Sequence, residues 1–189
     1  MSPSRLTARP PDEAIVRWLR RSIAVLLLAG LVAFVIQGAN RPPNPYLKPS
    51  AAPSARVPVP GFGQIAFRVD RLRGRSRCAL LADTTEQQER GLMGRHDLSG
   101  YDGMLFRFST ESTVGFYMRN TPLPLSIAWF ASDGRFVSSA NMDPCADRAD
   151  CPTFFATAPY RFALEVPRGG LGGLGIGPGA HLTVGGACS

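Results

Sequence analysis

Histidine is almost missing from this 189-residue chain: His96 and His181 are the two present. They lie far apart in the sequence, and neither belongs to an H-E-x-x-H run, which would place two ligands and a base on one helix face. The G-x-S-x-G nucleophile elbow is also absent. Hydrolytic catalysis therefore has no signature here. Most of the chain also lacks an excess of one charge. The formal charge of +7 suggests a nucleic-acid binder until it is mapped: residues 1–60 hold 8 Lys+Arg against 2 Asp+Glu, and residues 61–189 hold 13 against 12. A near-neutral C-terminal part lacks the broad phosphate-facing charge behind non-specific nucleic-acid binding, so DNA and RNA are not expected partners. No internal repeat occurs, and low complexity is confined to one proline-rich and one glycine-rich stretch.

What the chain does have begins with a hydrophobic run. Ile23 to Ile36 carries no polar side chain, and residues 22–39 extend it with only Ser22 and Gln37 as polar interruptions. As a helix, about 18 such residues span roughly 27 Å, enough for a bilayer core if Arg20 and Arg21 snorkel at one end. Arg5, Arg9, Arg17, Arg20 and Arg21 precede the run, whereas Arg41, Lys48 and Arg56 are spread thinly beyond its far end. Positive charge stays inside, so residues 1–21 are read as a basic cytoplasmic N-terminus and residues 22–39 as a membrane anchor. The expected location is the inner (cytoplasmic) membrane, crossed once, with the C-terminal domain periplasmic or extracellular. A cleaved signal peptide with secretion of the rest is the alternative, although Gln37-Gly38-Ala39 puts glutamine where a small residue is wanted. A buried soluble helix is the third. Residues 40–60 carry Pro42, Pro43, Pro45, Pro49, Pro53, Pro58 and Pro60. That density favours extended polyproline II, a stalk holding the domain off the membrane.

Residues 61–189 read as one exported, mainly β domain. Ile65 to Val69, Cys78 to Leu81, Met104 to Phe108, Gly115 to Met118, Leu125 to Phe130, Arg135 to Ser139, Tyr160 to Val166 and His181 to Val184 are strand candidates. Asp133-Gly134 marks a hairpin turn. Asp83-Thr84-Thr85-Glu86-Gln87-Gln88 offers overlapping capping boxes, so one short helix starts there and ends by Gly94. Many short strands and a single helix predict a compact β-sandwich or barrel-like domain.

Several features invite chemistry. Gly170-x-Gly172-x-x-Gly175 matches the dinucleotide fingerprint formally, but Pro178 interrupts and no acid comes after Glu165, so an irregular loop is expected. Cys145 and Cys151 lack zinc spacing. In an exported domain they read as a disulfide clipping the loop from Met142 to Pro152, which leaves Cys78 and Cys188 either to pair or to stay free and buried. No metal and no cofactor are expected. The segment Gly115 to Phe130, GFYMRNTPLPLSIAWF, sets Arg119, Asn120 and Thr121 in a row. Strand alternation sends Phe116 and Met118 one way and Tyr117 and Arg119 the other. The segment is either a polar turn before Pro122 or a pocket rim, with Arg119 and Asn120 presenting donors and Tyr117 an aromatic wall. Asp102 and Glu165 are the carboxylates considered with it, and Asp97 is a third.

An ordered set of motifs carries a family resemblance. Arg90-Gly91-Leu92-Met93, then Asp102 to Phe108 (DGMLFRF), Phe116 to Thr121 (FYMRNT) with Pro124-Leu125, Asp133-Gly134, and Ala163-Leu164-Glu165-Val166 with Gly169 resemble the domain of unknown function 192 family over about residues 62–185. The resemblance implies a small, mainly β domain of the sandwich type, often preceded by a signal or anchor, with a two-cysteine clipped loop in many members and no established activity. The chain departs from the pattern at Tyr117, where tryptophan is usual. It also carries Ser126 in place of an aspartate after the Pro-Leu pair, and Ala180 in place of the aspartate after Gly179. These features together point to a non-catalytic binding module for an unknown envelope ligand or protein. An envelope enzyme using Arg119 and Asn120 with Asp102 or Glu165, and a purely structural domain, are the alternatives.

Overall fold

The computed structural model describes residues 55–71 and 76–188. The segments read as basic N-terminus and anchor, and most of the stalk, lie outside those residues. Among the described residues no helix is long and apolar enough to cross a membrane.

Nine strands form among them: β1 (Gly63–Val69), β2 (Arg77–Ala82), β3 (Gly103–Ser112), β4 (Phe116–Tyr117), β5 (Leu125–Phe130), β6 (Phe136–Met142), β7 (Thr153–Phe154), β8 (Tyr160–Pro167) and β9 (Leu182–Val184). Seven make one sheet in the order β6-β5-β8-β3-β2-β1-β9, and β4 pairs with β7 as a separate ribbon. All neighbours in the large sheet are antiparallel except β2 and β3. A parallel pair needs a crossover connection, and the chain from 83 to 102 supplies it, carrying helix α1 (Thr85–Arg90).

The sandwich expectation is corrected by the way this sheet ends. Its two terminal strands are drawn together: Arg135, just before β6, bridges His181, just before β9. The Phe136 N–H donates to the Ala180 carbonyl at 3.0 Å, and the Leu182 N–H to the Gly134 carbonyl at 2.8 Å. The result is one curled, half-barrel sheet, not two stacked ones. Gly134 is required at this junction, because its φ is +88° and a β-carbon would run into the Leu182 carbonyl.

Period-two alternation sorts the apolar residues onto two faces. On one, Leu80, Met104, Phe106, Ile127, Trp129, Tyr160 and Ala163 form a buried cluster. On the other lie Ala79, Leu81, Leu105, Ala128, Phe130, Leu164 and Val166. Strand β5, LSIAWF, is buried at all six positions because both faces are covered. Each large side chain so buried contributes roughly 1.5 to 3 kcal/mol, which offsets the ordering of short strands and long loops.

Helix α1 begins at Thr84, whose Oγ1 accepts from the Gln87 N–H while Gln87 Oε1 accepts from the Thr84 N–H. Of the two overlapping boxes this one forms, since the Asp83 side chain pairs with Arg107 at 2.7 Å. A second correction concerns the glycine stretch: Gly170–Gly173 makes a one-turn helix, α2, in place of the expected irregular loop. Both disulfides are present, Cys78–Cys188 with Cα atoms 5.4 Å apart and Cys145–Cys151 with Cα atoms 6.0 Å apart.

Candidate functional site

Strand β8 is apolar and buried along most of its length, yet it carries an acid at its centre. Glu165 is in register with Met104 on one side and Ile127 on the other. Its neighbours Leu164 and Val166 belong to the second face, so alternation turns the Glu165 side chain to the first. It is only 4% exposed. Among the described residues its carboxyl has no hydrogen bond and no ion pair. Desolvation without a compensating charge favours the neutral acid, and burial pushes its pKa up to about 8.

Above this face the sheet is not fully covered. The end of α1 with the adjoining turn (Gln88 to Met93) and the segment from Val114 to Met118 leave a cavity of about 300 Å³. Phe106, Phe108, Phe116, Leu92 and Met118 line it, and Glu165 belongs to the same lining. The β4–β7 ribbon forms one wall, and its close packing needs Gly115, where a β-carbon would collide with Thr153 and the Phe155 ring. Tyr160 anchors the base of that wall by donating from its hydroxyl to the Val114 carbonyl at 2.6 Å. Burial of this phenol raises its pKa. Val114, Tyr117 and Phe155 are exposed apolar residues of this same ribbon region.

Cations near the cavity are engaged elsewhere. Arg90 donates to the Pro60 carbonyl at 3.3 Å and lies over the Phe62 ring at 4.2 Å. Arg161 donates to the Phe108 carbonyl at 2.8 Å. Glu165 is thus an acid in an apolar site with room beside it, able to donate a hydrogen bond when neutral or to accept a cation when ionised.

The other residues singled out from sequence fall in different places. Alternation holds from Phe116 to Arg119: Phe116 and Met118 turn inward, and Tyr117 and Arg119 outward. Tyr117 stands on the cavity rim, 46% exposed. Arg119 does not line the cavity; its Nε donates to Asp147 at 2.6 Å on the surface. Asn120 takes φ +53°, its carbonyl accepts from the Gly94 N–H at 2.7 Å, and it borders a separate, more open groove with His96 and Pro122. Thr121 is buried, bridges Cys145 in backbone pairing and lines both cavities. Asp102 accepts from the Cys78 N–H at 2.9 Å and from Arg77 at 3.2 Å, stapling β2 to the start of β3. Arg119 pairs with Asp147 and Asp102 with Arg77, so neither Asp102 nor Glu165 is bonded to Arg119. Ser126 faces the second side of the sheet, where its Oγ donates to Asn141 at 2.6 Å and accepts from the Gly169 N–H at 3.0 Å. Ala180 is buried on that side as well. The two positions where the family's aspartates are replaced, Ser126 and Ala180, therefore lie across the sheet from the cavity, whereas the third departure, Tyr117, stands on its rim.

Sequence reasoning missed the aromatic lining, Phe106, Phe108 and Phe116. The signal was available in part, because Phe106 and Phe108 alternate with Leu105 and Arg107 on one strand face. Among the described residues no group of three or more His, Cys, Asp or Glu side chains is placed to hold a metal ion.

Comparisons with known proteins agree with this geometry at the level of fold. The crystal structure of a Sinorhizobium meliloti 1021 protein, provisionally ascribed to transcription regulation, is 30% identical, with a TM-score of 0.56 over 65% of this chain and 95% of that one. A protein of unknown function from Novosphingobium aromaticivorans DSM 12444 is also 30% identical, with a TM-score of 0.55 over 70% and 94%. No curated protein matches the chain. The DUF192 profile, described as Uncharacterized ACR, matches residues 69–184, well over half of the sequence, and the chain belongs to that family.

Proposed function

We propose that the chain is a membrane-tethered, extracytoplasmic binding module whose ligand seat is the apolar cavity over Glu165, and that it acts without catalysis. The observation that carries this reading is Glu165, a residue 4% exposed whose carboxyl is unpartnered among the described residues, on the lining of a cavity of about 300 Å³. Small-molecule sites are typically concave and apolar with a few placed polar groups, and this one has that balance. Non-catalytic binding is preferred because, among the described residues, no second catalytic group is positioned against Glu165. The apolar run at 22–39, the arginines before it and the two disulfides support an oxidising compartment outside the membrane.

Thermal-shift measurements on the purified chain against metals, glycans, peptides and fragment-sized compounds test the seat. A responding compound should raise the Tm of the parent and leave the Gln88→Trp variant, with its cavity mouth filled, unmoved. A compound that stabilises both equally binds elsewhere and contradicts the seat. For location, a reporter fused after Ser189 that is active only in the cytoplasm would overturn the topology.

A further inference from the structure

The walls and the floor of the cavity have different chemistry, and together they narrow the ligand. A neutral ligand would need only a hydrogen-bond donor from the protein, and an amide or hydroxyl side chain supplies one without a titrating group in an apolar site. A carboxyl differs in being able to become negative where it stands. Around it are the rings of Phe106, Phe108, Phe116 and Tyr117 and the thioethers of Met93 and Met118. Aromatic faces attract cations through their quadrupole, and polarisable sulfur adapts to varied apolar shapes.

Resting on the reading of this cavity as a ligand seat, we propose that its ligand is an organic cation: a primary ammonium on an apolar body, with the ammonium against the Glu165 carboxylate and the body among the rings. Among the described residues no cation competes for that place. From α1 the ionisable groups at the cavity are Glu89 and Arg90, the latter held by the Pro60 carbonyl and the Phe62 ring, and from β4 there is Tyr117. The adjoining strands β3 and β5 present Met104, Phe106, Leu125 and Ile127, none of which titrates. On β3 and β8, Arg107 is paired with Asp83 and Arg161 is bonded to the Phe108 carbonyl. On entry of the ammonium the Glu165 O–H bond breaks and its proton leaves to solvent. The ligand keeps its charge, and no covalent bond forms.

The sign of the pH dependence distinguishes this ligand from a neutral one. A cation binds more tightly as pH rises and Glu165 ionises, whereas a neutral acceptor bound by the protonated acid is lost over the same range. The test uses the full chain with methyl-labelled methionine, tracking the Met93 and Met118 signals on titration with phenethylamine and with its neutral counterpart phenethyl alcohol. Both signals should move with the amine, and its binding should tighten on the order of tenfold between about pH 7 and about pH 9. Calorimetry near neutrality in buffers of different ionisation enthalpy should show about one proton released per amine bound. Glu165→Gln should remove the pH slope and bring the amine down to the level of the alcohol. If that variant does not fold, the slope and the proton release of the parent decide alone. Binding of the alcohol as tightly as the amine, with a flat or falling profile, overturns the cation while leaving the seat intact. Failure of both compounds to move Met93 or Met118 overturns both readings.

Discussion

On the second face of the sheet Phe67, Phe130 and Leu164 are wholly shielded and packed among Leu174, Ile176 and Leu182. On the first face the sheet presents Met104, Trp129 and Tyr160, equally shielded, but the cover gives out between α1 and the β4–β7 ribbon, and an acid stands in the gap. The difference teaches where specificity is stored. Alternating apolar residues are enough to build either face, but only the first is covered by short, separately tethered pieces that leave a cavity. Stability is expected to be concentrated on the second face and binding on the first.

Truncation should separate them most strongly. Phe130→Ala on the closed face is expected to lower stability by about 3 to 5 kcal/mol, whereas Phe116→Ala on the cavity wall should cost only about 1 to 2 because its ring already lacks neighbours on one side. Denaturant melts compare them, and equal losses would erase the distinction between the faces.

Glu165→Gln sharpens the contrast with pH. Below about 4.5 both folded and unfolded states hold the Glu165 proton, and between 4.5 and about 8 only the folded state keeps it. Proton uptake by the folded state means that stability falls as pH rises through that window, by an amount on the order of 5 kcal/mol at most. Glutamine should remove this slope, so the variant gains on the parent as pH rises; parallel stability curves for the two proteins would contradict it. Replacing Cys145 and Cys151 together by alanine should cost about 2 kcal/mol in chemical denaturation, since the closed loop is short. Arg119→Ala should have the smallest effect. The Arg119–Asp147 pair has side chains 50% and 63% exposed, and such pairs are worth from nothing to about 1 kcal/mol. A large loss of ligand response in that variant would move the site back to the surface corner.

Much of the fold was legible because it is local. LSIAWF reads as a strand from its residues alone and is one, and Thr84 with Gln87 forms the capping box that their spacing permits. An exported context favours a Cys145–Cys151 clip, which forms; Cys78 and Cys188, left open by the sequence, pair as well. What escaped is non-local or very short. Closure of the sheet rests on Arg135 meeting His181, a contact between distant segments with no local pattern. Strand β7 has two residues, too few for periodicity, and Gly170–Gly173 coils although three of its four residues are glycine. By sequence Glu165 is one candidate carboxylate among three. Its isolation was hidden because nothing in ALEV says that α1 stops short above that face. Arg119 draws attention for its charge, yet in the exposed turn after β4 it meets solvent and pairs with the surface acid Asp147.

The central claim is that Glu165 is held neutral and unpaired in the cavity, and its own titration tests that most directly. With glutamate labelled at the side-chain carboxyl carbon in the full chain, and the Glu165 signal assigned by its loss in Glu165→Gln, the midpoint is predicted near 8. A midpoint in the ordinary range, near 4.5, would show the carboxyl to be solvated or paired and would contradict the claim.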